Sequence, residues 1–226
     1  MNEQAAIETQ EIKNKYFYDN VLMLEQDIKY PQISKILSPY VQRKINRYNQ
    51  KEATSLDYYT RRQLYPMAVK QYEYAKKEGF PFNNYVLMSV FEVKYNKYPL
   101  LSFYFERYEY TGGAHGITIP SSDTWDLTDA RRLILKQLFK KGYNYKAVIL
   151  AEIEKQAEQR KNSGEIDYFD DYKKLIVQNF DSENYFLSPD GLSIYYDLYT
   201  IGPYVIGIQT FTIPYEIFGG NLRYDL

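Results

Sequence analysis

The chain has 226 residues, no cysteine, a formal net charge of −1 and 45% hydrophobic residues, and 27 of its side chains are tyrosine. These values exclude disulfide and thiolate chemistry and supply no basic field for nucleic acid or an anionic membrane. They leave enough apolar material for one large domain or two small ones, and no apolar run approaches the ~18 residues of a membrane span.

Residues 1–14 are polar and are expected to fray as a disordered tail. From Lys15 to Ile36 the chain reads as extended, with Tyr30-Pro31 as a turn signal between Ile28 and Ile33. Ser38-Pro39 supplies an N-cap and a proline at the first helical position, after which Val41, Ile45 and Tyr48 share a face. A second helical stretch, Thr54 to Lys77, has Leu64, Ala68 and Tyr72 as its buried stripe and stops at Gly79. Pro66 inside it forces a kink or a fresh start. Phe91, Val93 and Tyr95 then alternate on one strand and Leu101, Phe103 and Phe105 on the next, with Lys97-Tyr98-Pro99 between them.

The second strand runs into Tyr110-Thr111-Gly112-Gly113-Ala114-His115-Gly116, and Ile117-Thr118-Ile119 resumes extended β-branched sequence. Gly112 and Gly113 are expected to supply the positive φ angles of a tight reversal, which sets His115, the single histidine, at its tip. An antiparallel meander follows from these three strands. Ala130 to Phe139 and Tyr145 to Arg160 read as helical, the latter burying Tyr145, Ile149, Ile153 and Ala157. Asn162-Ser163-Gly164 ends it, and a helix from Asp170 carries Tyr172, Ile176 and Phe180. Ser188-Pro189-Asp190-Gly191 is a type I turn joining Tyr185–Leu187 to Leu192–Tyr196, and Val205–Ile213 adds a strand. Helices segregated from strands give an α+β fold: an antiparallel sheet with helices packed on it, in two sub-domains (15–110 and 111–226) sharing a core.

One histidine excludes a multi-histidine metal site, and calcium, phosphate and dinucleotide loops are absent. A Ser-His-Asp arrangement would need His115 with Ser121 or Ser122 and Asp123 or Asp126, and no nucleophile elbow is present. Asp167, Asp170, Asp171, Asp181 and Glu183 make an acidic stretch around Tyr168-Phe169 that a glycosidase cleft could use. Asp170 and Asp171 are better explained as residues of a helix start. The expectation is therefore no catalytic residue, no metal and no cofactor.

The order Tyr110-Thr111-Gly112-Gly113-Ala114-His115, Trp125-Asp126-Leu127, Leu138-Phe139, the aromatic hairpin around Ser188–Gly191 and Gly202-Pro203-Tyr204 resembles one extracytoplasmic family. It is the lysozyme-binding ectodomain of the RsiV-type anti-sigma factors, which also precedes the catalytic domain of PdaC-type peptidoglycan deacetylases; the likeness spans residues 16 to 215. The resemblance implies a non-enzymatic extracytoplasmic module whose partner is a protein of the lysozyme class or peptidoglycan, with no nucleic acid. Membrane attachment would come only through an anchor or leader outside this chain, since Met1-Asn2-Glu3-Gln4 lacks the regions of a signal peptide. The first places to look for binding are Tyr110, Gly112, Gly113 and His115 in the loop, and Asp167, Tyr168 and Asp170 in the acidic segment. The competing reading is a glycan-binding accessory domain or an enzyme acting on peptidoglycan, which would set exposed tyrosines or Trp125 in a groove beside carboxylates.

Overall fold

The computed structural model describes residues 4–36 and 38–226. The fold is α+β, with a six-stranded sheet in the order β1-β2-β3-β4-β5-β6 and a three-stranded sheet in the order β7-β8-β9. Contacts divide the chain into two units, one holding the residues up to Glu92 with Phe105–Ile119, the other Val93–Tyr104 with Pro120–Leu226.

In the first unit, β1 (Ala6–Tyr18) and β2 (Val21–Lys35) form a long antiparallel hairpin. Its reversal is Asp19-Asn20, with φ of 50° and 61°. Two adjacent left-handed residues make the hairpin turn whose twist suits flanking strands, and Asp and Asn tolerate that region. Tyr30-Pro31 is therefore strand interior rather than a turn. The expected disordered tail 1–14 is corrected too: from Ala6 onward it is strand, while residues 1–3 lie outside the described residues. Ile12, Tyr16 and Tyr18 of β1 pack against the buried cluster of Met23, Leu24, Ile28, Leu64, Ala68 and Leu87. The polar residues between them are the solvent-facing half of a strand.

Pro31 is tolerated because of what lies beside it. β2 pairs with β3 (Tyr85–Lys97) only from Leu24 to Ile28. Beyond that point α1 (Pro39–Tyr59) covers the vacated edge with amides. Asn46 accepts from Ile33 N–H (2.8 Å) and donates to Ile33 C=O (2.8 Å), Gln42 donates to the same carbonyl (2.9 Å), and buried Asn49 donates to Pro31 C=O (3.0 Å). A proline here forfeits no ladder bond, since its nitrogen points where β3 has already left.

Ser38 caps α1, accepting from Val41 N–H at 3.4 Å, and Pro39 follows as expected. The helix continues through a π-helical turn, Thr60–Leu64, into α2 (Tyr65–Glu78), which ends at left-handed Gly79 (φ 74°). The π turn absorbs Pro66, with Tyr65 N–H bonding five residues back to Thr60 C=O. Because this helical pair forms a crossover between β2 and β3, those strands run parallel. The sheet is thus mixed, and the expectation of an antiparallel sheet is corrected at this one pair.

β4 (Leu100–Tyr110) neighbours β3 through the two-residue connection Tyr98-Pro99, and β5 (Ile117–Asp126) neighbours β4 through a six-residue loop. Connections so short join only antiparallel strands, so the expected meander is present. β3, β4 and β5 each contribute residues to both units.

In the second unit, α3 (Tyr145–Asn162) buries Ile149, Ile153 and Ala157, and α4 (Tyr172–Gln178) buries Tyr172 and Ile176. They pack with Leu187, Leu192, Ile194, Tyr196, Phe211 and Ile213 of the antiparallel sheet made by β7 (Tyr185–Ser188), β8 (Gly191–Tyr196) and β9 (Gln209–Ile213). Gly191 closes the expected hairpin, and a Cβ there would run into the Ile213 carbonyl of β9. The expected helix over Ala130–Phe139 does not form. Ala130 is left-handed (φ 54°), β6 (Arg131–Arg132) pairs with β5, and only Leu135–Leu138 winds, as a 3₁₀ turn. The strand expected over Val205–Ile213 begins at Gln209, after a 3₁₀ turn at Tyr204–Ile206.

Candidate functional site

In the first unit every residue of β4 from Phe105 to Tyr110 is half-buried, and the phase that meets α1 carries charge. Phe105 meets Phe91 at 6.3 Å between ring centroids, while the next two residues of that phase are Arg107 and Glu109. Tyr59, at the end of α1, donates its hydroxyl to the Glu109 carboxylate (3.1 and 3.2 Å) and lies with its ring 5.9 Å from the Arg107 guanidinium. Burial, and then the Glu109 charge, hold the Tyr59 hydroxyl above its ordinary pKa, and the same two causes act in that order on Tyr85. Tyr85 of β3 donates to Gln71 Oε1 of α2 at 2.5 Å. Gln71 in turn lies against Gly112, where a Cβ would stand 3.1 Å from its amide nitrogen.

The loop 111–116 thus rests on a braced platform. Of its glycines only Gly112 is left-handed (φ 85°), which corrects the expectation that Gly113 supplies positive φ as well. Gly116 is buried and needed for a different reason: a Cβ there would run into the Tyr108 ring. His115 is exposed, and its Nδ1 donates to the Gly116 carbonyl at 3.0 Å. Tyr108 and half-buried Tyr110 share the outward phase of β4; Met88 and Val90, both exposed, share the outward phase of β3. Exposed Ile117 follows directly on the loop. The loop offers glycines and one exposed imidazole, and the strands that border it present apolar and aromatic side chains outward, a composition that suits recognition.

The second predicted segment divides. Asp167 and Asp170 are exposed. Tyr168 is a core residue, stacked on Tyr172 (5.2 Å between centroids, 20°) with its hydroxyl donating to Gln209 Oε1 at 3.1 Å. Tyr110, Gly112, Gly113 and His115 belong to the first unit and Asp167, Tyr168 and Asp170 to the second.

Of the residues that could have served a triad, Ser122, Asp123 and Asp126 are engaged elsewhere. Ser122 donates to the Tyr185 carbonyl, and Asp123 pairs with Arg132 (2.7 Å), which also pairs with Glu183 (2.9 Å). Asp126, 4% exposed, accepts from Thr128 N–H (3.0 Å), Thr128 Oγ1 (2.6 Å), Tyr224 Oη (2.8 Å) and Arg131 (3.3 Å). Burial alone would raise its pKa, but these donors outweigh it and hold the carboxyl below its usual range. The Tyr224 hydroxyl is pushed up to about 12 by burial and by its bond to this carboxylate. Among the described residues, no three His, Cys, Asp or Glu side chains are grouped to hold a metal ion.

Sequence reasoning missed Tyr59, Gln71, Tyr85, Arg107 and Glu109. The signal was available for two of them: Arg107 and Glu109 continue the phase of Phe103 and Phe105, and a charge in a buried phase marks a paired, positioned group.

Residues 19–118 match the sequence model of the family described as Deacetylase PdaC, and residues 136–216 match that of a protein family of unknown function, DUF3298. Two consecutive segments of the chain are thus similar to these two families. The glycine-rich loop lies in the PdaC segment and Asp167–Asp170 in the DUF3298 segment. In fold the chain is similar to a crystal structure of a DUF3298-family member from Bacteroides fragilis, with a TM-score of 0.71, 21% identity, and coverage of 99% of this chain and 96% of that one. A DUF3298-family protein from Pseudomonas aeruginosa gives 0.68 at 17% identity, covering 98% and 96%. No curated protein matches the chain. Among the described residues, no helix is long and apolar enough to cross a membrane.

Proposed function

We propose that this chain is an extracytoplasmic module of the cell envelope that binds a protein ligand of the lysozyme class and catalyses no reaction. The PdaC and DUF3298 matches support the envelope setting. The observation that carries the ligand reading is the loop 111–116: Gly112 lies against Gln71, Gly116 lies against Tyr108, and the loop exposes His115 directly after half-buried Tyr110 of β4. A braced loop with aromatic side chains at its base binds a partner with little ordering cost. A glycan cleft is supported less well, because Trp125, the ring best suited to stack on a sugar, is 3% exposed.

Calorimetric titration of the 226-residue chain with several lysozymes, C-type included, tests the proposal. The expected result is saturable binding at micromolar concentration or tighter, with heat abolished when the loop is altered. Absence of binding to all of them, together with deacetylation or cleavage of a peptidoglycan fragment by the same preparation, would replace this reading with the enzymatic one that the PdaC family's name suggests.

A further inference from the structure

β1 is the first strand of the six-stranded sheet, so one of its edges pairs with β2 and, among the described residues, no strand pairs with the other. No residue of this 13-residue strand is fully buried. A long strand edge of this kind is a template for another chain unless something blunts it.

The direction of its backbone groups follows from the register. Ile33 of β2 directs its N–H and C=O, and Pro31 its C=O, to the amides of α1, away from β1. Residues opposite each other in an antiparallel pair either exchange bonds or both point away. Ile7 and Thr9, opposite Ile33 and Pro31, therefore point their backbone groups outward, and by alternation so do Glu11, Lys13 and Lys15.

The side chains decide what can pair there. If a second copy of the strand is laid antiparallel, a two-fold axis at Glu11 sets glutamate against glutamate. An axis at Lys13 sets lysine against lysine, and one at residue 14 sets Lys13 against Lys15. With the axis at Ile12, Glu11 faces Lys13 of the other copy twice, Gln10 faces Asn14, Thr9 faces Lys15 and Ile7 faces Phe17. Opposite charges directly across a strand pair attract and like charges repel, so this centre is favoured. Ile12, already packed at the rim of the helix-side cluster, would meet its own copy there. Glu11 and Lys13 also contact each other within one chain (3.5 Å), and Lys13 contacts Asp27 (3.2 Å), so their heads sit on the outward face of the hairpin.

We infer that β1 is a self-association edge: two copies of this chain pair antiparallel along β1 about Ile12, joining their sheets into one. This goes beyond the proposed ligand and does not depend on it, because β1 precedes the PdaC segment and carries none of the loop.

The chain contains no cysteine, so a single introduced thiol reports the axis without background. Residues on the axis form a non-hydrogen-bonded pair with Cα atoms about 4.5 Å apart, within disulfide reach. Ile12→Cys should therefore give a covalent dimer on mild oxidation. Glu8→Cys, which faces Tyr16 of the other copy, should not. Sedimentation equilibrium of the unmodified chain should show a dimer, and Glu11→Lys, which sets like charges across both pairs, should weaken it by on the order of tenfold. Circular dichroism spectra that match the parent would show that the variants are folded. A parent chain that stays monomeric at about 100 μM, well below the millimolar range of non-specific contact, overturns the inference. Cross-linking of Glu8→Cys as fast as Ile12→Cys overturns it equally.

Discussion

Two segments that stand out in the sequence, Trp125-Asp126-Leu127 and Tyr110–Gly116, treat their polar residue in opposite ways. In Trp125-Asp126-Leu127 the carboxylate is buried and takes four donors, from the backbone, a hydroxyl, a guanidinium and a phenol. In Tyr110–Gly116 the imidazole is exposed, with its Nδ1 bonded to the carbonyl of the next residue. A buried, saturated carboxylate has no capacity left for a ligand and a large penalty if its donors lose it. An exposed ring on a braced loop can be reached by a partner. Motif residues in one chain can thus divide between fold and recognition, and burial with bond saturation tells which is which.

The largest effect that could break this comparison is at Asp126. Asp126→Ala should cost roughly 2–4 kcal/mol in urea unfolding, because Tyr224 and Thr128 lose their acceptor in a buried setting. Asp126→Asn, which keeps the shape and one oxygen, should cost less. The folded carboxyl titrates below its unfolded value of about 3.9, so its contribution is fully present above that pH and fades as pH falls through the depressed folded value. The stability gap between parent and Asp126→Asn should therefore close below about pH 4. A gap that stayed constant down to pH 2, or no loss in Asp126→Ala, would show that the donors around Asp126 do not stabilise it.

The next effect separates the two adjacent glycines. Gly112→Val places a β-branched residue at φ 85° and brings its Cβ against Gln71. The expected loss is about 1 kcal/mol or more. Gly113 is not left-handed, and the nearest atom a Cβ would meet is the His115 carbonyl at 4.0 Å. Gly113→Val should remain within ~0.5 kcal/mol of the parent. Equal thermal melts for the two variants would contradict the platform as described.

Elements whose pattern depends on neighbours in sequence were legible. Ser38-Pro39 and Gly79 bound the helical pair, Ile149, Ile153 and Ala157 are the buried stripe of α3, and the hairpin at Ser188–Gly191 formed where Pro and Gly place it. What failed depends on partners far along the chain. Residues 6–14 look like a tail until β2 is opposite them. Pro31 looks like a turn until Asn46 and Asn49 are seen to supply the edge that a third strand would have occupied. The parallel β2–β3 pair was implied by two helices between two strands, yet the meander that follows hid it. At the candidate site the loop was visible in the sequence, whereas its bracing by Gln71, Tyr59 and Tyr85 was not, since those residues come from three other elements.

The smallest expected effect on stability is the one with most bearing on function. His115→Ala removes an exposed ring whose Nδ1 bonds its own neighbour's carbonyl, so the unfolding midpoint should shift by no more than ~0.5 kcal/mol equivalent. Under the proposed reading, the same change removes a side chain from the rim of the interface. Lysozyme affinity should then fall by on the order of tenfold, the usual cost of truncating a contributing contact. Tyr110→Ala, at a half-buried position, should lose affinity and some stability together. Measuring Kd and unfolding midpoint on the same preparations separates the cases. If affinity follows stability across Gly112→Val, Tyr110→Ala and His115→Ala, the loop acts only through the fold. If His115→Ala loses affinity at unchanged stability, the imidazole is a contact. Unchanged affinity in both His115→Ala and Tyr110→Ala moves the ligand away from this loop, and the difference between the two motif segments would then be one of burial alone.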